Sequence, residues 1–309
     1  MKKQNANLRH AFAANPTRFL AAVARLPVEA QLSQRVQLAA QTTGKQSQIS
    51  DQLRRLGLQG MARALSQLAP NSRKNGASFA RFLTLLVESE IADQKEQRIA
   101  RRLRSAKLRY QASMADLDYN VVRGFDDALF HWLATGQWIV DRENVVIEGP
   151  TGIGKTWLAS ALGDQACHDD HTVRYARVPE LVADLKAARG TDRHLRRMRA
   201  LHNTELLILD DWGVEPFGRE ERREVLEILE YRYGRGSTLI ATQVAAEHWS
   251  QIIGEPTTTA MILDRILHNA HRLRLKGESL RNRQRNPVST ALVPRDEPPA
   301  VSSARVHRL

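Results

Sequence analysis

Apolar positions along this chain fall into two regimes. Between about 49 and 115 they recur at helical spacing: Leu53, Leu56, Met61, Leu65 and Leu68 form one run, which Pro70 to Gly76 interrupts. A second helix is expected from about Phe79 to Tyr110, with Phe82, Leu86, Ile91, Ile99 and Leu103 on roughly one face. An amphipathic lead-in over 124–140 follows, carrying Phe125, Leu129, Trp132, Leu133, Trp138 and Ile139. Short continuous apolar runs then take over. Val145 to Ile147, Thr172 to Arg177, Leu206 to Leu209, Thr238 to Ala241 and Leu273 to Leu275 read as strands. Helical spacing separates them at Trp157 to Leu162, Pro179 to Ala188, Arg219 to Tyr233 and Met261 to Ala270. Such alternation predicts an α/β fold with a mostly parallel sheet covered on both faces, preceded by a small all-α domain. The expected divisions are 1–47 as an N-terminal extension, 48–118 as the helical domain, 119–285 as the α/β domain and 286–309 as a disordered tail. Within the extension, Phe19 to Leu26 reads as a short helix and Gln41 to Gln48 as a polar linker.

Chemistry enters at the first strand. Gly149-Pro150-Thr151-Gly152-Ile153-Gly154-Lys155-Thr156 fits the phosphate-binding loop pattern G-x-x-x-x-G-K-[ST], and it stands between a strand and a helix, where that loop must stand. The glycines let backbone amides approach phosphate oxygens, and the helix N-terminus adds partial positive charge. Lys155 is expected to reach the β and γ phosphates and the Thr156 hydroxyl to ligate Mg²⁺. The third strand ends in Asp210-Asp211, an apolar strand closed by acid. Asp210 is expected to hold the metal and Asp211 to orient and deprotonate the attacking water. The next strand ends in Thr242-Gln243, where a neutral polar side chain can hold that water or sense the γ phosphate. Arg265 is the candidate arginine finger, the guanidinium that would stabilise charge developing in phosphoryl transfer.

Composition changes the picture in two ways. The 309 residues include one cysteine, Cys167, so neither a disulfide framework nor a cysteine zinc site can form within the chain, and a small buried thiol on a helix is its expected role. No apolar run nears the ~20 residues that span a bilayer and no secretory signal is evident, so no membrane partner and a cytoplasmic protein are expected. The formal charge is +12, with pI near 10.3, which points to a polyanion. The cations cluster. Lys95, Arg98, Arg101, Arg102, Arg104, Lys107 and Arg109 crowd the end of the second helix, and Lys186, Arg189, Arg193, Arg196, Arg197 and Arg199 lie between the second and third strands. A third group is Arg272, Arg274, Lys276, Arg281, Arg283 and Arg285. No aromatics interleave with them, which argues against base stacking on single strands, so the expected contact is a nucleic-acid backbone with little base readout.

The phosphate loop, Asp210-Asp211-Trp212-Gly213, Arg232-Tyr233 before Ser237-Thr238, His248-Trp249, Leu263-Asp264-Arg265-Ile266 with His268-Asn269-Ala270, and Lys276-Gly277-Glu278-Ser279-Leu280-Arg281 together resemble the IstB-like transposition helper ATPases. These are AAA+ proteins related to the DnaC helicase loaders, and the resemblance covers roughly residues 50–283. It implies a P-loop AAA+ core with a five-stranded parallel sheet and ATP-driven assembly into a homo-oligomeric ring or spiral. It also implies nucleotide held between neighbouring subunits, with Arg265 acting on the neighbour's ATP. The implied partners are duplex DNA and a transposase encoded by the same element. A DnaC-type replicative helicase loader is the alternative, because it shares the ATPase core. Two departures stand out. Many relatives have Asp-Glu at Asp210-Asp211, and the shorter Asp211 implies slower hydrolysis or a differently held water. Gln243 stands where Asn is common. Arg281 falls near the second sensor arginine of many AAA+ proteins.

Overall fold

A left-handed glycine, Gly57 at φ 80°, divides the first apolar run into two helices in the computed structural model, which describes residues 43–68, 79–116, 127–277 and 279. Helix α1 (Thr43–Leu56) ends there and α2 (Gln59–Leu68) begins two residues on. The Gly57 amide donates to Arg54 O at 2.9 Å and the Leu58 amide to Leu53 O at 2.8 Å, the paired bonds of a Schellman stop. The pattern of apolar spacing runs through this break because Leu53 and Leu58 pack on the same cluster as Met61, Leu65, Leu86 and Val87. The stretch expected as a polar linker, Gln41 to Gln48, is helical from Thr43. Its lysine and glutamines are good helix formers whose polarity suits a solvated face. Helix α3 (Phe79–Ala106) is shorter than the expected 79–110 and stops at Lys107, which takes φ 55°. The buried Glu90 of α3 accepts from the Met61 amide at 3.1 Å, meeting one of the donors left open in the first turn of α2. Expectations for residues 1–42, the break at 70–76, Phe125, Arg281, Arg283, Arg285 and the tail 286–309 lie outside the described residues.

The chain divides into two compact units, Met1–Arg104 and Ser105–Leu309. The second is the α/β unit. Helices α4 (Asp127–Ala134) and α5 (Gln137–Val140) precede β1 (Asn144–Glu148), and α6 (Lys155–His168) leads to β2 (Val173–Arg177). Then come α7 (Val178–Ala188), α8 (Asp192–His202), β3 (Leu206–Trp212), α9 (Arg219–Arg232) and β4 (Ser237–Thr242). Two helices, α10 (Trp249–Ile253) and α11 (Pro256–Leu267), precede β5 (Ala270–Arg274). The five strands form one sheet in the order β2-β3-β4-β1-β5, every pair parallel. This is the five-stranded P-loop AAA+ core, with a helical unit before it. Val146, Leu207, Leu209 and Ile240 bury one face under α7, α8, α9, α10 and α11. On the other face α6 packs on Ile208 and Val173, with the expected buried Cys167 on that helix.

Several elements of the α/β unit also differ from expectation. Helix α8 was not foreseen, because eleven residues with four arginines show only Met198 and Leu201 as a buried stripe. Helix α11 starts and ends earlier than 261–270. The Glu255 side chain caps it by accepting from the amides of Thr257 and Thr258 at 3.1 and 2.6 Å, with Pro256 in the first turn. Strand β5 is shifted from 273–275 to 270–274, in register with β1 from Asn144↔Ala270 to Glu148↔Arg274.

The start of β4 is fastened by a buried cation. Arg232, 1% exposed, donates to the carbonyls of Leu201, Thr204, Glu205 and Ser237 and to Thr238 Oγ1. Burial pulls its pKa down to about 10, so it stays charged at neutral pH. Truncating it leaves several buried carbonyls without a donor, at about 1–3 kcal/mol each. Arg232→Met is therefore expected to cost about 3 kcal/mol or more. Urea unfolding of the full chain, followed through the buried tryptophans Trp138, Trp212 and Trp249, checks this; a loss under about 1 kcal/mol would contradict the role given to Arg232.

Candidate functional site

The phosphate-loop residues leave β1 and enter α6 as the pattern requires. Gly149, Gly152 and Gly154 take φ of 157°, 83° and 101°, and Gly154 is the N-cap of α6, so Lys155 and Thr156 open the helix. Pro150 and Thr151 are exposed, while Ile153 is buried and anchors the loop. Lys155 Nζ donates to the carbonyls of Gly149 and Pro150 at 2.8 and 2.9 Å, which holds the ammonium over the loop it closes. The loop is pinned to the sheet by the Gly149 amide on Thr242 O at 3.3 Å. The segment after β5 reaches the loop as well: a methyl group at Gly152 would collide with the side chain of Ser279. That contact gives the Lys276-to-Arg281 motif a place, at the crown of the phosphate loop, for the part of it that is described.

Gln243 arrives at the same place. Thr151 Oγ1 donates to Gln243 Oε1 at 2.6 Å, so the sensor candidate at the end of β4 touches the loop directly. The third strand brings the acids. Adjacent residues of a regular strand face opposite ways, which would aim Asp210 and Asp211 at different helices. The structure avoids this with a register irregularity between Leu209 and Trp212 and a left-handed Asp211 at φ 57°. Strand β3 thus continues through both acids to Trp212 rather than ending before them. Both carboxylates then meet side chains from one face of β2. Tyr175 donates its hydroxyl to Asp210 Oδ2 at 2.7 Å, and Arg177 donates Nε to Asp211 Oδ2 at 2.6 Å. Arg177 also holds Glu180 at 2.5 Å. Its pKa is raised by Asp211 first and by Glu180 second, so it is a permanent cation. Burial, then the Asp210 bond, push the Tyr175 hydroxyl well above its usual range, so it is a permanent donor.

Asp210 is 2% exposed. Among the described residues no group of three or more His, Cys, Asp or Glu could hold a metal ion by itself. Thr156 and Asp210 offer one hydroxyl and one carboxylate, a donor set suited to Mg²⁺, which binds through one or two carboxylates beside substrate phosphates. Behind the loop, the buried Glu148 accepts from the Ala246 amide at 3.1 Å, Arg272 Nη2 at 2.7 Å and Arg274 Nε at 3.1 Å. Both arginines also bind Glu247. This network ties the last residue of β1 to β5 and to the turn after β4. It also occupies two arginines expected in the third basic cluster.

Arg265 is not part of this gathering. Asn144 Nδ2, at the start of β1, donates to the carbonyls of Arg265 and Ile266 at 3.2 and 3.1 Å. The phosphate loop lies at the other end of that strand, about 13 Å away for four residue steps. The Arg265 guanidinium pairs with Asp264 at 2.7 Å and stacks 4.6 Å from the Tyr233 ring centroid, about a third exposed. The other cations divide. On α3, Arg101 is exposed while Arg98 and Arg102 are half-buried. Lys186 on α7 and Arg193, Arg196 and Arg199 on and around α8 are exposed. Arg189 binds Glu220 and Glu224, and Arg197 binds Asp184. Tyr175, Arg177 and Glu148 were missed in sequence, whereas Ser279 lies in the quoted Lys276-to-Arg281 motif without a role given to it. For the first two, the available signal was polar side chains two apart on a strand.

Residues 51–288 match the family model of the IstB-like ATP binding protein. The chain belongs to that family. The insertion sequence ATP-binding protein y4pL of Sinorhizobium fredii is 51% identical over 235 residues, covering 76% of this chain and 96% of that one. The IS1162 ATP-binding protein of Pseudomonas fluorescens is 39% identical over 194 residues, covering 62% and 84%. Among solved structures, DnaI aligns over 54% of this chain and 92% of its own, at 21% identity and a TM-score of 0.48. Membership of an ATP-binding family agrees with the loop geometry described above, and no helix among the described residues is long and apolar enough to cross a membrane.

Gly152 provides a direct check. Its φ of 83° and its contact with Ser279 leave no room for a side chain. Gly152→Ala is expected to weaken binding of a fluorescent ATP analogue by about tenfold or more, some 1.4 kcal/mol. Adding Ser279→Gly should recover part of that loss, because it removes the collision but not the backbone strain. Full affinity in Gly152→Ala alone would show that the loop yields easily.

Proposed function

We propose that this protein is an ATP-dependent DNA-binding helper of the transposase encoded by the same insertion sequence, assembling on target duplex DNA and stimulating transposition through ATP binding and hydrolysis. The observation that carries this reading is the separation of Arg265 from the phosphate loop. One chain brings Lys155, Thr156, Asp210, Asp211 and Gln243 together and holds its candidate finger at the opposite end of the sheet. A head-to-tail neighbour supplies the missing cation, which supports a homo-oligomeric ring or spiral with ATP at each junction.

In this reading the loop amides of residues 149–154 and Lys155 bind the phosphates, and Thr156 and Asp210 hold Mg²⁺. Gln243 orients a water and Asp211 takes its proton. The water oxygen bonds to the γ phosphorus as the bond to the β–γ bridging oxygen breaks. ADP leaves with that electron pair, and the neighbour's Arg265 offsets the charge on the transferring group. Arg177 holds Asp211 in place until the water arrives.

The relatives named for insertion sequences support a transposase as partner, and a protein of this kind acts in the cytoplasm beside the DNA. The helical unit is the candidate contact for DNA or transposase, with Arg98, Arg101 and Arg102. In the ATPase unit, Lys186, Arg193 and Arg196 are the exposed cations on offer, and Arg189 and Arg197 reach DNA only by sharing their carboxylate partners.

Lys155→Ala is expected to abolish ATP binding and ATP-dependent assembly on DNA. Arg265→Ala should keep ATP binding within a few-fold yet remove phosphate release. Mixing Arg265→Ala with Asp211→Ala should restore hydrolysis at mixed junctions, and a mixture that stays inactive would contradict action between subunits. Affinity for duplex DNA, measured by fluorescence anisotropy, should fall by about 10³ to 10⁵ between 50 and 200 mM salt for six to ten phosphate contacts. A nearly salt-independent affinity would sink the backbone-binding part of the reading.

A further inference from the structure

The two acids at the end of β3 are held by different chemistry. Asp211 meets a cation, whereas Asp210 meets a neutral hydroxyl. That difference bears on metal choice. The Tyr175 hydroxyl occupies Asp210 Oδ2 at 2.7 Å, and the carboxylate is buried. A carboxylate so engaged has Oδ1 left as its unencumbered oxygen and cannot readily chelate a cation through both. Mg²⁺ accepts this, because it is small, near-octahedral and content with single carboxylate oxygens. Ca²⁺ takes six to eight oxygens and favours bidentate carboxylates.

We propose that Tyr175 is a positioning residue that makes the nucleotide site selective for Mg²⁺ over Ca²⁺ by restricting Asp210 to one available oxygen. The proposal rests on the reading of Asp210 as metal ligand given above.

The test measures the affinity of the full-length protein for a fluorescent ATP analogue in EDTA and across titrations of Mg²⁺ and of Ca²⁺. In Tyr175→Phe, affinity in EDTA should stay unchanged. The apparent Mg²⁺ affinity should fall about tenfold, as for loss of a hydrogen bond to a ligating carboxylate. Ca²⁺ should fall less or gain, so the Mg²⁺:Ca²⁺ ratio drops. An unchanged ratio in Tyr175→Phe overturns the proposal. Asp210→Asn separates the two levels. If it abolishes the metal dependence while Tyr175→Phe leaves the ratio intact, only the selectivity inference fails. If Asp210→Asn changes nothing, the metal-site reading falls and the selectivity inference with it.

Discussion

Parallel pairing of β3, β4 and β1 is the constraint on which the site depends. Three strands that run the same way end at the same edge, so the loop after β1, the acids on β3 and the polar residue after β4 converge without any long-range search. Hydrogen bonds at that edge lock the alignment: Gly149 to Thr242, Thr242 Oγ1 to Trp212 O, Thr151 to Gln243. A slip of one residue in any of these pairings would break those bonds and carry the loop, the acids and Gln243 out of alignment. The cost of that slip is what keeps the chemistry in register.

The opposite edge is built with equal care and no nucleotide chemistry of its own. Asn144 holds the end of α11 and the Thr238 amide, and Arg232 draws together the ends of α8 and α9 and the start of β4. Arg265 and its stacking partner Tyr233 sit among these ties. Rigid support for a half-buried arginine is an expensive arrangement if the residue is only structural. It is a natural one if the guanidinium must present itself to another subunit at a defined place.

What could be read in the sequence was local. The phosphate loop is contiguous, and its strand and helix adjoin it. The buried strands are short apolar runs, and their helices carry the usual spacing. The ends of elements were less legible, since Gly57, Glu255 and Lys107 act through bonds a few residues away that apolar spacing does not register. Partnerships across the fold were not legible at all. Nothing near Asp210 or Asp211 announces Tyr175 and Arg177, more than thirty residues earlier. The partners of the arginine clusters were equally invisible: a run of positive charge looks uniform until Glu148, Glu220, Glu224 and Asp184 pair with individual members.

The distance along β1 between the loop and Arg265 would also set a rule of counting, if Arg265 serves the neighbour's nucleotide as proposed. In an open row of subunits each junction would complete one site, so there would always be one complete site fewer than there are subunits, and a lone subunit would have none. One end would show a phosphate loop without an arginine, and the other an arginine without a loop. Such a row would be chemically polar: its two ends would differ in what they can accept, and free protein would leave cellular ATP intact. Turnover would begin only where copies are lined up, and the nucleotide last added at one end would outlive all the others.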